Sequence, residues 1–320
     1  MAALLVRRLA GAGARILLIA TAAFLLVRAL PGGPGAIPED PRVSPAHAER
    51  LREIWGLDRP LAEQYGRFLA AAATGDWGPS LAQSRPAVDV VLEALPWTLA
   101  LALAALALEL AGGLAIGAAA AHRPGGWLDH ALRIATLGLY AIPGFWLALL
   151  LLATFAVRFP ILPAGGTPTV EPGLPWMARL AGLATHLLLP ALAIGLPAAA
   201  GAARFVRAAL IEVAGEPFVL AARARGLARR VVFFRHALAA AAAPLLQNLG
   251  FSIGALLSGS LAVEIVFAWP GLGRAAYDAL LARDYTVLVA CATLSAAAVV
   301  AGSALAELAH AVADPRTRDA

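Results

Sequence analysis

No lysine occurs in the 320 residues, so all 25 basic side chains are arginine. That absence excludes a GxxxxGK[ST] phosphate loop, which needs its lysine to reach the nucleotide phosphates. If ATP drives this chain, another polypeptide hydrolyses it. Cysteine is almost absent too. Cys291 stands alone inside an apolar run, which rules out an intrachain disulfide and reads as a small hydrophobe. Charge is scarce, at 14% of residues, and the six histidines are scattered with no pair at ligand spacing, so no metal site is expected. A membrane-embedded hydrolase or lipid transferase would need convergent His, Asp, Glu or Ser groups at one depth. Only isolated ones are present.

What fills the chain instead is apolar: 61% hydrophobic residues and a mean hydropathy of +0.77. Runs of roughly 20 apolar residues recur, the length a helix needs to cross a bilayer. In lipid the backbone must satisfy its own polar groups, and Leu/Ala-rich runs this long suit helices rather than barrel strands. The expectation is an all-α polytopic membrane protein with six transmembrane helices, over about 9–30, 95–121, 131–157, 184–203, 239–262 and 286–311. No A-x-A-like cleavage site follows the first run, so it reads as a retained helix, with Arg15 and Arg28 near its ends placed to snorkel. Pro190 and Pro197 predict kinks in the fourth span. Six crossings put Arg7, Arg8, Arg123, the arginines of 207–235, Arg316 and Arg318 on one side, as the positive-inside rule requires. Both termini are then cytoplasmic. The organisation reads as 1–30, the N-terminal end and first helix; 31–92, an extracytoplasmic region with short surface helices; 93–312, a transmembrane core; and 313–320, a cytoplasmic tail.

Within that core, 205–238 is a basic loop between two apolar segments. Gly215 is placed to end the preceding helix through a left-handed cap. Pro217 suits the first position of a new helix, with Glu216 near its positive end and Glu212 one turn upstream. Arg223 and Arg225 fall in the last turn, and Gly226 supplies the next cap. The spacing predicts a two-turn helix on which Phe218, Ala221, Ala222 and Arg225 share a face. Two alanines allow close approach and Phe218 can fill a pocket, as in helix-in-groove recognition. A basic loop lying on anionic headgroups is the alternative.

Ala221-Ala222, three residues, then Gly226 resembles the AA---G core of the EAA loop of ABC importer permeases. Leu220 stands where glutamate is usual, His236 where isoleucine is, and Ala239 replaces the proline after Leu238. LIEVAGEPFVLAARARGL and RHAL nevertheless look like the dipeptide/oligopeptide/nickel branch. So do LPGGP, GLDRPLAEQYGRFL, GDWGPSLAQSRPAVDVVLEALPWTLALA, IPGFWLALLLL, HLLLPALAIGLP, VEIVFAWPGLGR with RDY, and DPRTR. WPGLGR, from Trp269 to Arg274, is the most specific. The resemblance implies a type I ABC importer permease fold and a subunit without covalent chemistry. It implies a second homologous permease, two ABC ATPase subunits that use ATP and Mg, and an extracytoplasmic substrate-binding protein. This chain would bind no cofactor of its own.

Other polar residues carry two readings each. Glu109, deep in the second span, either lines the pathway or bonds within the bundle. Gln247 and Asn248 either line the pathway or bind across helices. Glu264 either caps a short helix or contacts the binding protein, while Trp269, Pro270, Gly271 and Gly273 read as a tight outer turn. A secondary transporter remains a competing function, and nickel, glutathione or another small solute a competing cargo.

Overall fold

The computed structural model describes residues 2–29, 58–80, 82–168, 173, 175–228, 231–233, 238, 252–254, 256–257 and 260–313. In chain order the helices are α1 (Ala2–Ala29), α2 (Leu61–Thr74), α3 (Ala87–His122), α4 (Trp127–Ala141), α5 (Gly144–Leu152), α6 (Trp176–Ala214), α7 (Pro217–Ala224), α8 (Leu272–Leu281) and α9 (Tyr285–Ala313). A π-helical turn, Ala153–Arg158, extends α5. Apart from one antiparallel bridge between Pro79 and Pro86, the described residues contain no β structure. The all-α reading holds.

Four helical stretches are long and apolar enough to cross a membrane: Ala10–Ala29, Ala87–His122, Trp176–Ala214 and Tyr285–Ala306. A bent pair, Trp127–Ala141 with Gly144–Arg158, makes a fifth if counted as one span. The span expected over 239–262 falls mostly outside the described residues.

The third span, expected over about 131–157, is not one straight helix. It bends by 97° between α4 and α5. Ile142 is extended (φ −75°, ψ 126°), the conformation favoured for a residue before proline, and Pro143 then caps α5. By contrast, α6 runs as one 39-residue helix through both Pro190 and Pro197. The helix expected to continue past the fourth span is there.

The chain divides into two compact units. The first comprises Met1–Pro96 with Gly271–Val300. Here α2 lies against α1 through aromatic contacts. Phe24 stacks on Phe68 (5.0 Å between centroids) and meets Tyr65 edge-on (5.3 Å), and the Thr21 and Tyr65 hydroxyls share a hydrogen bond of 2.7 Å. Ala87, Val90, Val91 and Ala94, at i, i+3, i+4 and i+7 along the start of α3, bury one stripe. It packs against Leu272 and Ala279 of α8 and Val287, Ala290 and Cys291 of α9. Asp284 begins α9 as its N-cap. Its Oδ1 accepts from Val287 N–H (3.3 Å), and its Oδ2 accepts from Ser80 Oγ (2.5 Å) and Ala82 N–H (3.1 Å).

The second unit comprises Trp97–Pro270 with Ala301–Ala320. Leu147, Ala148 and Leu151 of α5 pack with Leu189 and Ala193 of α6 and with Val263 and Phe267. Glycines set a close seam of α3 on α6. A Cβ built on Gly113 would lie 2.6 Å from Ala202 Cβ, and one on Gly117 would lie 2.6 Å from the Ala203 carbonyl oxygen. Only glycine admits that approach. This Gly113-x-x-x-Gly117 spacing is the small-residue device by which membrane helices pack without a hydrophobic driving force.

Candidate functional site

At the end of α6 the chain folds into the short helix α7. Pro217 occupies its first turn, where a missing N–H costs nothing, and Glu216 takes the N-cap position in an extended conformation. The far end closes on Gly226, whose φ of +79° is left-handed. Gly226 N–H donates to the Arg223 carbonyl (2.9 Å) and Leu227 N–H to the Ala222 carbonyl (3.4 Å). These are the two bonds of a Schellman cap.

The expected left-handed cap at Gly215 is corrected. Gly215 is right-handed (φ −87°, ψ −10°), its N–H donating to the Glu212 carbonyl (3.1 Å) while Glu216 N–H donates to the Val213 carbonyl (3.1 Å). The turn between α6 and α7 is made by the extended Glu216, so no positive φ is required there.

The expected outward face is also corrected at one residue. Ala222 is fully buried with Val219, against Val232 and beside Val213. Positions 219 and 222 are one turn apart and together form the inward stripe, which carries Ala222 off the exposed face. What remains outward is Phe218 (46% exposed), Leu220 (51%), Ala221, Arg223 and Arg225. Glu212 is exposed on the last turn of α6, and Leu238 is partly buried against Ala121, Val206 and Leu210. The helix is therefore fastened by two small residues and presents two large apolar ones.

An ion pair that sequence reading did not find braces the same end of the unit. Arg207, on α6, donates from Nε to Asp129 Oδ1 (2.6 Å) and from Nη2 to Oδ2 (2.8 Å). Asp129, in the first turn of α4, is buried and also accepts Gly125 N–H at 2.9 Å. A bidentate Arg–carboxylate fork fixes direction as well as distance. Nothing in the linear spacing of 129 and 207 signals it.

Glu109 is buried within α3. Ser252 Oγ donates to its Oε1 at 2.5 Å, while Oε2 has no partner among the described residues. Gln247 and Asn248 lie outside the described residues. Glu264 is completely buried and accepts from Thr98 Oγ1 at 2.8 Å, so a surface contact with a binding protein is corrected to an internal bond. Trp269 is also fully buried. Its Nε1–H donates to the Trp97 carbonyl (2.9 Å), and its ring meets Trp97 edge-on at 5.4 Å. Pro270 follows it, and in the first unit Gly271 is the N-cap of α8 with Gly273 in its first turn. Arg28 does not extend freely. Its Nε donates to Gln64 Oε1 (2.9 Å) and its guanidinium stacks on Phe24 at 3.5 Å.

The comparisons cover both parts of the chain. Residues 113–319 match the family model described as "Binding-protein-dependent transport system inner membrane component". Residues 1–102 match the model for the N-terminal part of the same membrane component. The chain is 32% identical over 317 residues to the oligopeptide transport system permease protein AppB of Bacillus subtilis, covering 99% of each chain. It is 34% identical to the di/tripeptide transport system permease protein DppB of Pseudomonas aeruginosa (92% of each). It is also 34% identical to the glutathione transport system permease protein GsiC of Pectobacterium atrosepticum (98% of each). Matched over nearly its whole length, the chain belongs to the family of binding-protein-dependent transport system inner membrane components.

Proposed function

We propose that this chain is the membrane-spanning permease subunit of an ATP-driven ABC importer for di- and oligopeptides, with α7 as its EAA-type coupling helix. The observation that carries the reading is α7 itself: two turns, opened by Pro217 and capped at Gly226, anchored inward by Val219 and Ala222, with Phe218 and Leu220 left outward. An ATPase subunit with an apolar groove would take Phe218, and closure of two ATPases would draw two such helices together. Six spans, cytoplasmic termini, a second homologous permease, two ATPases and an extracytoplasmic binding protein complete the assembly. Peptide cargo is supported by the names of the AppB and DppB relatives. The glutathione permease relative keeps a small peptide-like solute as the second reading.

The test is Phe218→Ala, alone and with Leu220→Ala, in the full complex. Expected is loss of co-purifying ATPase and of substrate-stimulated ATP hydrolysis, with the permease still folded. Full ATPase retention in the double variant would overturn the coupling role, and uptake without any ATPase would favour a secondary transporter. A screen of the partner binding protein against dipeptides, oligopeptides, glutathione and nickel decides the cargo.

A further inference from the structure

A cavity of about 470 Å³ opens within the first unit, between α1, α2, the 76–79 loop and the start of α9. Its wall is divided by chemistry. Arg28, Gln64 and Arg67 form a cationic, hydrogen-bonding side, and Phe68, Trp77 and Val289 form an apolar side. Arg67 is already shared with Glu63 (3.3 Å). Arg28 is different. It is half-buried, its only described polar contact is neutral Gln64, and no carboxylate of the described residues pairs with it. The carboxylate that does line the cavity, Asp76, is exposed and accepts Gly78 N–H at 3.3 Å. A partly desolvated guanidinium with donors to spare is a site for an anion.

The position of the cavity says which anion. Phe24 to Arg28 form the last turn of the apolar stretch Ala10–Ala29, the depth at which hydrocarbon gives way to headgroups. On the same turn Leu25 (47% exposed) and Leu26 (68%) face away from the unit, as does Leu18 (72%) further down the helix, as lipid-facing side chains do. Tyr65 and Trp77 supply the amphipathic rings typical of that boundary. A soluble anion would have no use for the apolar wall. An acyl chain would.

We propose that this cavity binds the phosphodiester of a glycerophospholipid, with Arg28 on the phosphate and the apolar wall of Phe68, Trp77 and Val289 against the proximal acyl chain. The proposal rests on α1 crossing the membrane and not on the coupling role of α7.

The experiment is native mass spectrometry of the full transporter complex, titrated with phosphatidylglycerol, with phosphatidylethanolamine, and with inorganic phosphate as a competitor. Phospholipid is expected to be retained and to resist millimolar inorganic phosphate. Arg28→Gln should weaken retention roughly fivefold or more, since one arginine at a membrane surface contributes about that factor. Ala71→Phe, which fills the cavity and removes no charge, should abolish retention, and exposed Arg59→Gln outside the cavity should leave it unchanged. Wild-type retention in both Arg28→Gln and Ala71→Phe would overturn the proposal. Displacement by inorganic phosphate would reassign the site to a free anion and overturn its lipid identity.

Discussion

Arg207 and Asp129 form a two-pronged ion pair, 2.6 and 2.8 Å, between the far part of α6 and the first turn of α4. Removing Asp129 leaves the partly buried Arg207 guanidinium without its carboxylate, which costs stability. Asp129→Ala is expected to lower the unfolding temperature of the purified complex. Asp129→Ala with Arg207→Ala should lower it by less than the sum of the single changes. Additive losses in that cycle would show that the two residues act separately.

Gly226 and Gly215 bracket α7 yet should respond oppositely. At φ +79° a β-branched residue is strained, so Gly226→Val is expected to uncouple substrate-stimulated ATP hydrolysis from uptake. Gly215 is right-handed, and a Cβ there would meet only the Glu212 carbonyl oxygen at an ordinary 3.5 Å. Gly215→Ala should therefore support wild-type uptake. Equal damage from the two would sink the assignment of the cap to Gly226.

Gly113 and Gly117 allow α3 to touch α6 almost backbone to backbone. Gly113→Leu is expected to abolish accumulation of folded permease, because its side chain has no space beside Ala202. Gly138→Ala, which meets nothing within 4 Å, serves as the tolerated comparison. Membrane yield and size-exclusion profile distinguish them.

Glu109→Gln keeps the shape of the side chain and its bond to Ser252 while removing the charge. The expected outcome is reduced uptake with unaltered subunit assembly. Uptake equal to wild type would remove the Glu109 carboxylate from the transport mechanism.

Local chemistry was legible in the chain, and long-range pairing was not. Pro217 and Gly226 announce their positions because a missing N–H and a missing Cβ each suit one place in a helix. Ala222 misled, since a face of α7 is defined only by what packs on it, and Val232 lies ten residues on. Pro143 carried the signal for the bend between α4 and α5, but an apolar run on both sides hid it. The GGLAIG stretch held a readable small-xxx-small spacing for the α3–α6 seam. Asp129 with Arg207, and Ser80 with Asp284, join residues so far apart that no periodicity points to them.

The glycine seam has a mechanical side. Side chains normally act as cushions between helices, absorbing small shifts by changing rotamer. Between Gly113 and Ala202, and between Gly117 and Ala203, there is no cushion. From Ala214 back to Gly195 is roughly 30 Å of helix at 1.5 Å per residue. Gly195 in turn rests on Leu108, the neighbour of Glu109, with a built Cβ only 2.9 Å from it. In the proposed importer, a push on α7 would be carried along α6, past Pro197, to this seam beside a buried carboxylate.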